Sequence, residues 1–95
     1  MIEDSVTNNV TATAERMLRL LDSECDLMAR DGVPAVEIDA TSMAVCSQIA
    51  GRVLGTQVKH GTQRARREKA IDAAVELFAR QIRDVARLLA GVEGG

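Results

Sequence analysis

The chain has 95 residues, of which 46% are apolar and 27% are charged, and its formal net charge is −2. This composition suits a folded protein rather than a disordered one, and no run of 18 apolar residues is present that would span a membrane. Phe78 is the one aromatic residue. The core must therefore be built from aliphatic and alanine side chains, which favours helix-on-helix packing over a β-sandwich.

The small net charge hides an uneven distribution along the chain. Residues 1–40 carry nine acids and three bases, which gives −6, whereas residues 41–95 carry nine bases and five acids, which gives +4. Opposite charges of this size favour head-to-tail contact, either between the two halves or between two subunits.

The first helix is predicted from about residue 5 to residue 30. Apolar residues recur there every three or four positions, as expected for one face of a helix, at Val10, Ala14, Met17, Leu21, Cys25 and Met28. Gly32 and Pro34 should end this helix, since glycine favours the position after a C-cap and proline cannot continue the helical hydrogen bonds.

The second helix is predicted at about residues 39–58, with Asp39 as its N-cap, although a start near Pro34 is the alternative. Its inward face is expected to consist of Met43, Cys46, Ile49, Ala50, Val53 and Leu54. The segment 59–62 then breaks the helical pattern. Thr62 is a candidate N-cap for a third helix, or the break is only a kink within one longer helix.

The third helix, at about residues 62–90, has the most regular pattern. Six residues follow a 4-3-4-3-4 spacing typical of a coiled-coil seam, and we call them the apolar stripe: Ile71, Val75, Phe78, Ile82, Val85 and Leu89. We therefore predict an all-α single domain over residues 1–95. A helical hairpin and a long third helix would form a three-helix bundle or an extended hairpin with coiled-coil-like packing.

Residues for catalysis or metal binding are sparse. His60 is the only histidine, and an exposed loop histidine is a better interpretation than a phosphotransfer site, because Gly61 follows it at a predicted break. Cys25 and Cys46 lack metal-binding spacing and are expected to be buried, reduced thiols of a cytoplasmic protein. A disulfide between them is the alternative if their helices run antiparallel. We predict no enzyme, no metal and no other cofactor.

The sequence is compatible with two non-enzymatic functions. The apolar stripe is longer than the rest of the chain can cover, and Ala74, Leu77 and Leu88 beside it make the apolar surface wider than a two-stranded seam needs. It therefore favours a protein-binding adaptor or chaperone that forms a homodimer when no other partner is present. The alternative is a nucleic-acid-binding or DNA-packaging accessory protein, for which the candidate phosphate contacts are Lys59, Arg64, Arg66, Arg67 and Lys69.

Parts of two predicted helices are similar to flagellar export chaperones of the FlgN kind. The first helix and turn carry this likeness through Leu20, Leu21, Glu24, Leu27, Met28, Asp31, Ala35 and Glu37. The last helix carries it through Arg67, Ile71, Ala74, Val75 and Leu77. Thr41 and Ser42 stand where that family commonly has a lysine. The resemblance implies an all-helical chaperone that binds its substrate through the last helix.

Overall fold

The computed structural model describes the backbone of residues 2–92 and the side chains of residues 4–92. This part of the chain contains no strand and is organised as α1 (Ile2–Arg30), α2 (Ala35–Gly61), a short 3-10 helix (Arg64–Arg66) and α3 (Arg67–Leu89). The prediction of an all-α fold is confirmed. The chain divides into two compact units, residues 1–47 and residues 48–95, and α2 contributes to both.

The turn of the first unit is a glycine C-cap. Gly32 has a φ of +86° and donates its amide hydrogen to the carbonyl of Ala29, and the amide of Val33 donates to the carbonyl of Met28 at 3.0 Å. These two bonds form a Schellman motif, which satisfies carbonyls that the end of α1 would otherwise leave without partners. Val33 and Met28 are both half-buried, as the apolar contact that accompanies this motif requires.

Helix α2 begins at Ala35, so the choice of Asp39 as its N-cap is wrong and the earlier start near Pro34 is the observed one. The carbonyl of Pro34 accepts the amides of Glu37 and Ile38, both at 3.0 Å, and so provides the first helical hydrogen bonds. A proline tolerates this position because the start of a helix does not need its missing N–H.

The residues of the first unit that are partly shielded from solvent lie beside its turn. The half-buried residues are Leu21, Cys25, Met28, Val33, Ile38 and Ser42. The Sγ of Cys25 lies 3.2 Å from the Oγ of Ser42, so these two positions of α1 and α2 are in direct contact. Residues 4–20 are all exposed. The predicted inward face of the first helix is therefore shielded only from Leu21 onward.

The turn of the second unit separates α2 from α3, so the chain breaks here and does not continue as one kinked helix. Helix α2 ends at Gly61 and α3 begins at Arg67. Thr62 is not an N-cap: Gln63 precedes the 3-10 helix and Arg66 precedes α3, and neither makes a side-chain capping bond. The amide of Thr62 instead donates to the carbonyl of Val58 and prolongs α2.

The second unit also has a small shielded region beside its turn. On α2 it comprises Ala50, Leu54 and Val58, which follow one another at four-residue spacing. Val58, at 8% exposure, is the one described residue that is buried. The predicted inward face of α2 is correct for Ala50 and Leu54, whereas Met43, Cys46, Ile49 and Val53 are exposed. The shielded face is therefore rotated around α2 relative to the predicted face, because it consists of residues at four-residue spacing that end at Val58.

Two glycine substitutions should change stability in opposite directions. Gly32→Ala should destabilise the protein by about 1 kcal/mol, because the positive φ is strained for any residue with a Cβ. Gly51→Ala, in the interior of α2 with no atom within 4 Å of an added Cβ, should stabilise it by about 0.5–1 kcal/mol. Thermal unfolding followed by circular dichroism at 222 nm tests both, with midpoint shifts of about 4–8 °C per kcal/mol. Equal shifts of the same sign would contradict this account of the turn.

Candidate protein-interaction surface

The apolar stripe runs along α3 and is exposed over its whole length. Its exposure rises from 38% at Ile71, near the turn, to 81% at Leu89, near the end of the helix. Phe78, the largest side chain of the stripe, is 44% exposed. Leu77 and Leu88, which lie on a flank of the helix roughly 100° away from the centre of the stripe, are exposed as well. All six residues that the sequence suggested for partner binding are therefore available at the surface.

Helix α3 is shielded along a different edge. The half-buried residues of α3 are Arg67, Ala70 and Ala74, at helical spacing, and the shielded residues of α2 in the same unit are Ala50, Leu54 and Val58. We infer that these two edges face each other. The small alanine side chains allow close approach but bury little apolar area per residue. This edge is not apparent from the sequence, because alanine at three- and four-residue spacing is a weak apolar signal beside leucine and isoleucine.

From Asp72 onward, the charged residues of α3 lie opposite the apolar stripe. At 100° per residue, the side chains of Asp72, Glu76, Arg80, Arg83, Asp84 and Arg87 fall on one side of the helix. The guanidinium of Arg80 donates a hydrogen bond to Oε1 of Glu76 at 3.2 Å, an i,i+4 pair on that charged side. The helix is therefore sharply amphipathic, and a partner that covers the stripe does not have to desolvate these charges.

The basic segment lies around the turn of the second unit. Lys59 is in the last turn of α2, Arg64 and Arg66 are in the 3-10 helix, and Lys69 is in the first turn of α3. These four side chains are exposed, and none makes an ion pair with a described carboxylate within 4.0 Å. They remain candidates for phosphate contact.

Arg67 differs from its basic neighbours, because it is half-buried and holds the turn together. Its Nε donates to the carbonyl of Thr62 and its Nη2 to the carbonyl of Lys59, each at 3.1 Å. A guanidinium at the C-terminal end of α2 satisfies free carbonyls and complements the negative end of the helix dipole. From the sequence Arg67 is expected only as a phosphate or partner contact, since a capping bond across a turn leaves no periodic signal.

The remaining candidate groups do not form a chemical centre in the described part of the chain. His60 is exposed in the last turn of α2. Cys25 and Cys46 are both free; Cys25 is half-buried, whereas Cys46 is exposed, so the expectation that both thiols are buried is wrong for Cys46. Among the described side chains, no three from histidine, cysteine, aspartate and glutamate lie close enough together to hold a metal ion.

Two further findings bear on function. Within residues 2–92, none of the helices combines the length and apolar character needed to cross a membrane. No family model matches the chain, and no curated protein and no solved structure matches it either. Function therefore has to be inferred from the surfaces of the two units.

Arg67→Gln should destabilise the protein by about 1 kcal/mol, because two charge-assisted hydrogen bonds to carbonyls are lost. Arg66→Gln is the matched control, since Arg66 is an exposed neighbour and its substitution should stay within about 0.5 kcal/mol of the wild type. Urea unfolding followed by circular dichroism measures both. If the two variants have the same midpoint, Arg67 does not stabilise the turn.

Proposed function

We propose that this protein is a non-enzymatic helical protein-binding module, an adaptor or chaperone, that acts through the apolar stripe on α3. The observation that carries this proposal is the exposure of the whole stripe, from Ile71 to Leu89. Large contiguous apolar surfaces are rare on soluble monomers and usually mark interaction sites. The resemblance of the first and last helices to export chaperones of the FlgN kind agrees with this function.

The spacing of the stripe favours a helix as the binding partner. Its 4-3-4-3-4 spacing places one side chain in every turn of α3 on the same line, as in helix pairs that pack knobs into holes. The stripe lies beside the half-buried edge of Ala70 and Ala74, which we infer to face α2, so the stripe itself is left for another molecule. The charged side of the helix stays in water when a partner binds.

We further propose that the chain forms a homodimer when no other partner is present, and that it acts in the cytoplasm. Leaving the stripe in water is unfavourable, since each fully buried large apolar side chain contributes about 1.5–3 kcal/mol. A second copy is the one partner that is always present at the protein's own concentration. The free thiols of Cys25 and Cys46 suit a reducing compartment.

Phe78→Asp should abolish dimerisation, and binding of any other protein at the stripe, without unfolding the second unit. The carboxylate remains in water in the isolated chain, because the position is 44% exposed, but it would be desolvated in a complex at a cost of several kcal/mol. Multi-angle light scattering should give about twice 10.2 kDa for the wild type and 10.2 kDa for the variant.

Ala73→Asp is the matched control for that experiment. Ala73 is exposed and lies on the charged side of α3, so the new carboxylate should leave the dimer intact. Circular dichroism of both variants checks that the helices persist. A wild-type chain that stays monomeric at every concentration, or a Phe78→Asp variant that still dimerises, would contradict the proposed role of the stripe.

The basic segment supports a second candidate function, namely binding of nucleic-acid phosphates. The observation in its favour is that Lys59, Arg64, Arg66 and Lys69 are exposed around one turn, without a described carboxylate partner. Such contacts would be independent of base sequence, because phosphates carry no sequence information. The absence of tyrosine and tryptophan leaves little for base stacking, so protein binding remains the preferred function.

Salt dependence tests this second candidate. If Arg64 and Arg66 contact phosphates, the Arg64→Gln/Arg66→Gln double variant should lower the slope of log K against log salt by about 1.8 on duplex DNA. The double variant Arg16→Gln/Arg19→Gln, which alters two exposed arginines of α1, should leave the slope unchanged. Fluorescence anisotropy of labelled DNA measures it. No binding by the wild type at about 50 mM salt would eliminate this function.

A further inference from the structure

We propose that a second copy of this chain packs antiparallel along the apolar stripe, with the two α3 helices crossing at the level of Arg80. This inference rests on the proposed function, because it names the partner and the orientation at the same surface. It follows from four properties of α3: the symmetry of the stripe, the exposed area, the residues that flank the stripe and the position of the basic segment.

The spacing of the stripe is the same when it is read in either direction. If residue numbers of the two copies sum to 160, every stripe residue meets a stripe residue of the second copy. Ile71 then pairs with Leu89, Val75 with Val85, and Phe78 with Ile82, and each of these pairs occurs twice about the two-fold axis. An isologous interface requires such self-complementarity. The large Phe78 lies next to the centre, where a buried aromatic residue contributes most.

The exposed apolar area is sufficient for a dimer. The six stripe residues together with Leu77 and Leu88 are all between 38% and 81% exposed. At roughly 100 Å² of exposed area for each of the six stripe residues, one copy offers about 600 Å², and the pair therefore offers about 1,200 Å², which is the lower end of the range for specific interfaces. Leu77 and Leu88 on the flank can add to this area.

The residues on either side of the stripe allow close approach without like charges meeting. In the antiparallel arrangement each flank of the stripe lies against the same flank of the second copy. One flank carries Ala79 and Ala86, and the other carries Gln81 and Leu88. Ala79 and Gln81 therefore meet their own counterparts near the axis. The charged side chains from Glu76 to Arg87 lie on the opposite side of the helix and stay in solvent.

Electrostatics selects the antiparallel orientation over the parallel one. Residues 59–69 carry five basic residues and one acid, a net charge of +4 without His60. A parallel pair would place the two basic segments side by side. In the antiparallel pair the starts of the two α3 helices are about 40 Å apart along the axis, which is several times the screening length of about 8–10 Å. Antiparallel helix dipoles also attract each other.

Disulfide trapping in the full chain distinguishes the two orientations. In a Cys25→Ser/Cys46→Ser background, one protein carries Val75→Cys and another carries Val85→Cys, both at positions that are more than half exposed. In the antiparallel dimer Cys at 75 of one copy adjoins Cys at 85 of the other, whereas two copies of the same position are about 15 Å apart, too far for a disulfide. Only the mixture should therefore form covalent dimers upon mild oxidation.

The pattern of cross-links distinguishes the antiparallel pair from the parallel pair. Cross-linking in the mixture but in neither protein alone supports the antiparallel pair, and the Ile71→Cys and Leu89→Cys proteins, whose own counterparts are about 27 Å away, should behave in the same way. Cross-linking of each protein with itself indicates a parallel pair and overturns this inference, while the proposed function stands. No cross-link in any sample also overturns it. Light scattering of the unmodified chain then decides separately whether the stripe mediates self-association at all.

Discussion

The contact between helices in each unit is limited to a short apolar region beside the turn. Because the contact is short, most apolar side chains of the described residues stay exposed to water. In the first unit the region extends from Leu21 to Ser42, and in the second from Ala50 to Ala74. Capping bonds support each turn: the Schellman motif at Gly32 in one unit and the guanidinium of Arg67 in the other. Helical hairpins held in this way leave much of their apolar surface in water.

The identity of the residues at the second contact explains why the apolar stripe is exposed. Ala70 and Ala74 are the half-buried apolar residues of α3, and we infer that they face α2. An alanine edge buries less apolar area than an edge of isoleucine or leucine, so the contact alone stabilises the unit only modestly. The larger residues are left beside the contact, where another molecule can bury them. Under the proposed function, local folding and partner binding would use adjacent edges of one helix.

The separation of the alanine edge from the apolar stripe on α3 matters for function. A helix that uses one edge within its own unit and presents a second edge to a partner can change partners without losing its own fold. The stripe is long, regular and free of charge, which makes it complementary to other amphipathic helices in general. In the proposed homodimer, self-association would cover this surface until a different helix competes for it. The proposed adaptor or chaperone role requires this property, because the binding surface must be stable both with and without a substrate.

The all-α class, the turn after Arg30 and the membership of the apolar stripe could be predicted from the sequence. Each depends on local chemistry: helical periodicity, the φ preference of glycine and the missing amide of proline. The start of α2 near Pro34 and the break near Gly61 are each one of two alternatives that the sequence leaves open. The roles of Arg67 and Ala70 and the exposure of Cys46 could not be predicted. They depend on which helical edge faces its neighbour and on bonds across a turn, and several apolar edges of similar strength compete for that contact. Only the tertiary structure decided among them, because periodicity identifies an apolar face but does not specify what covers it.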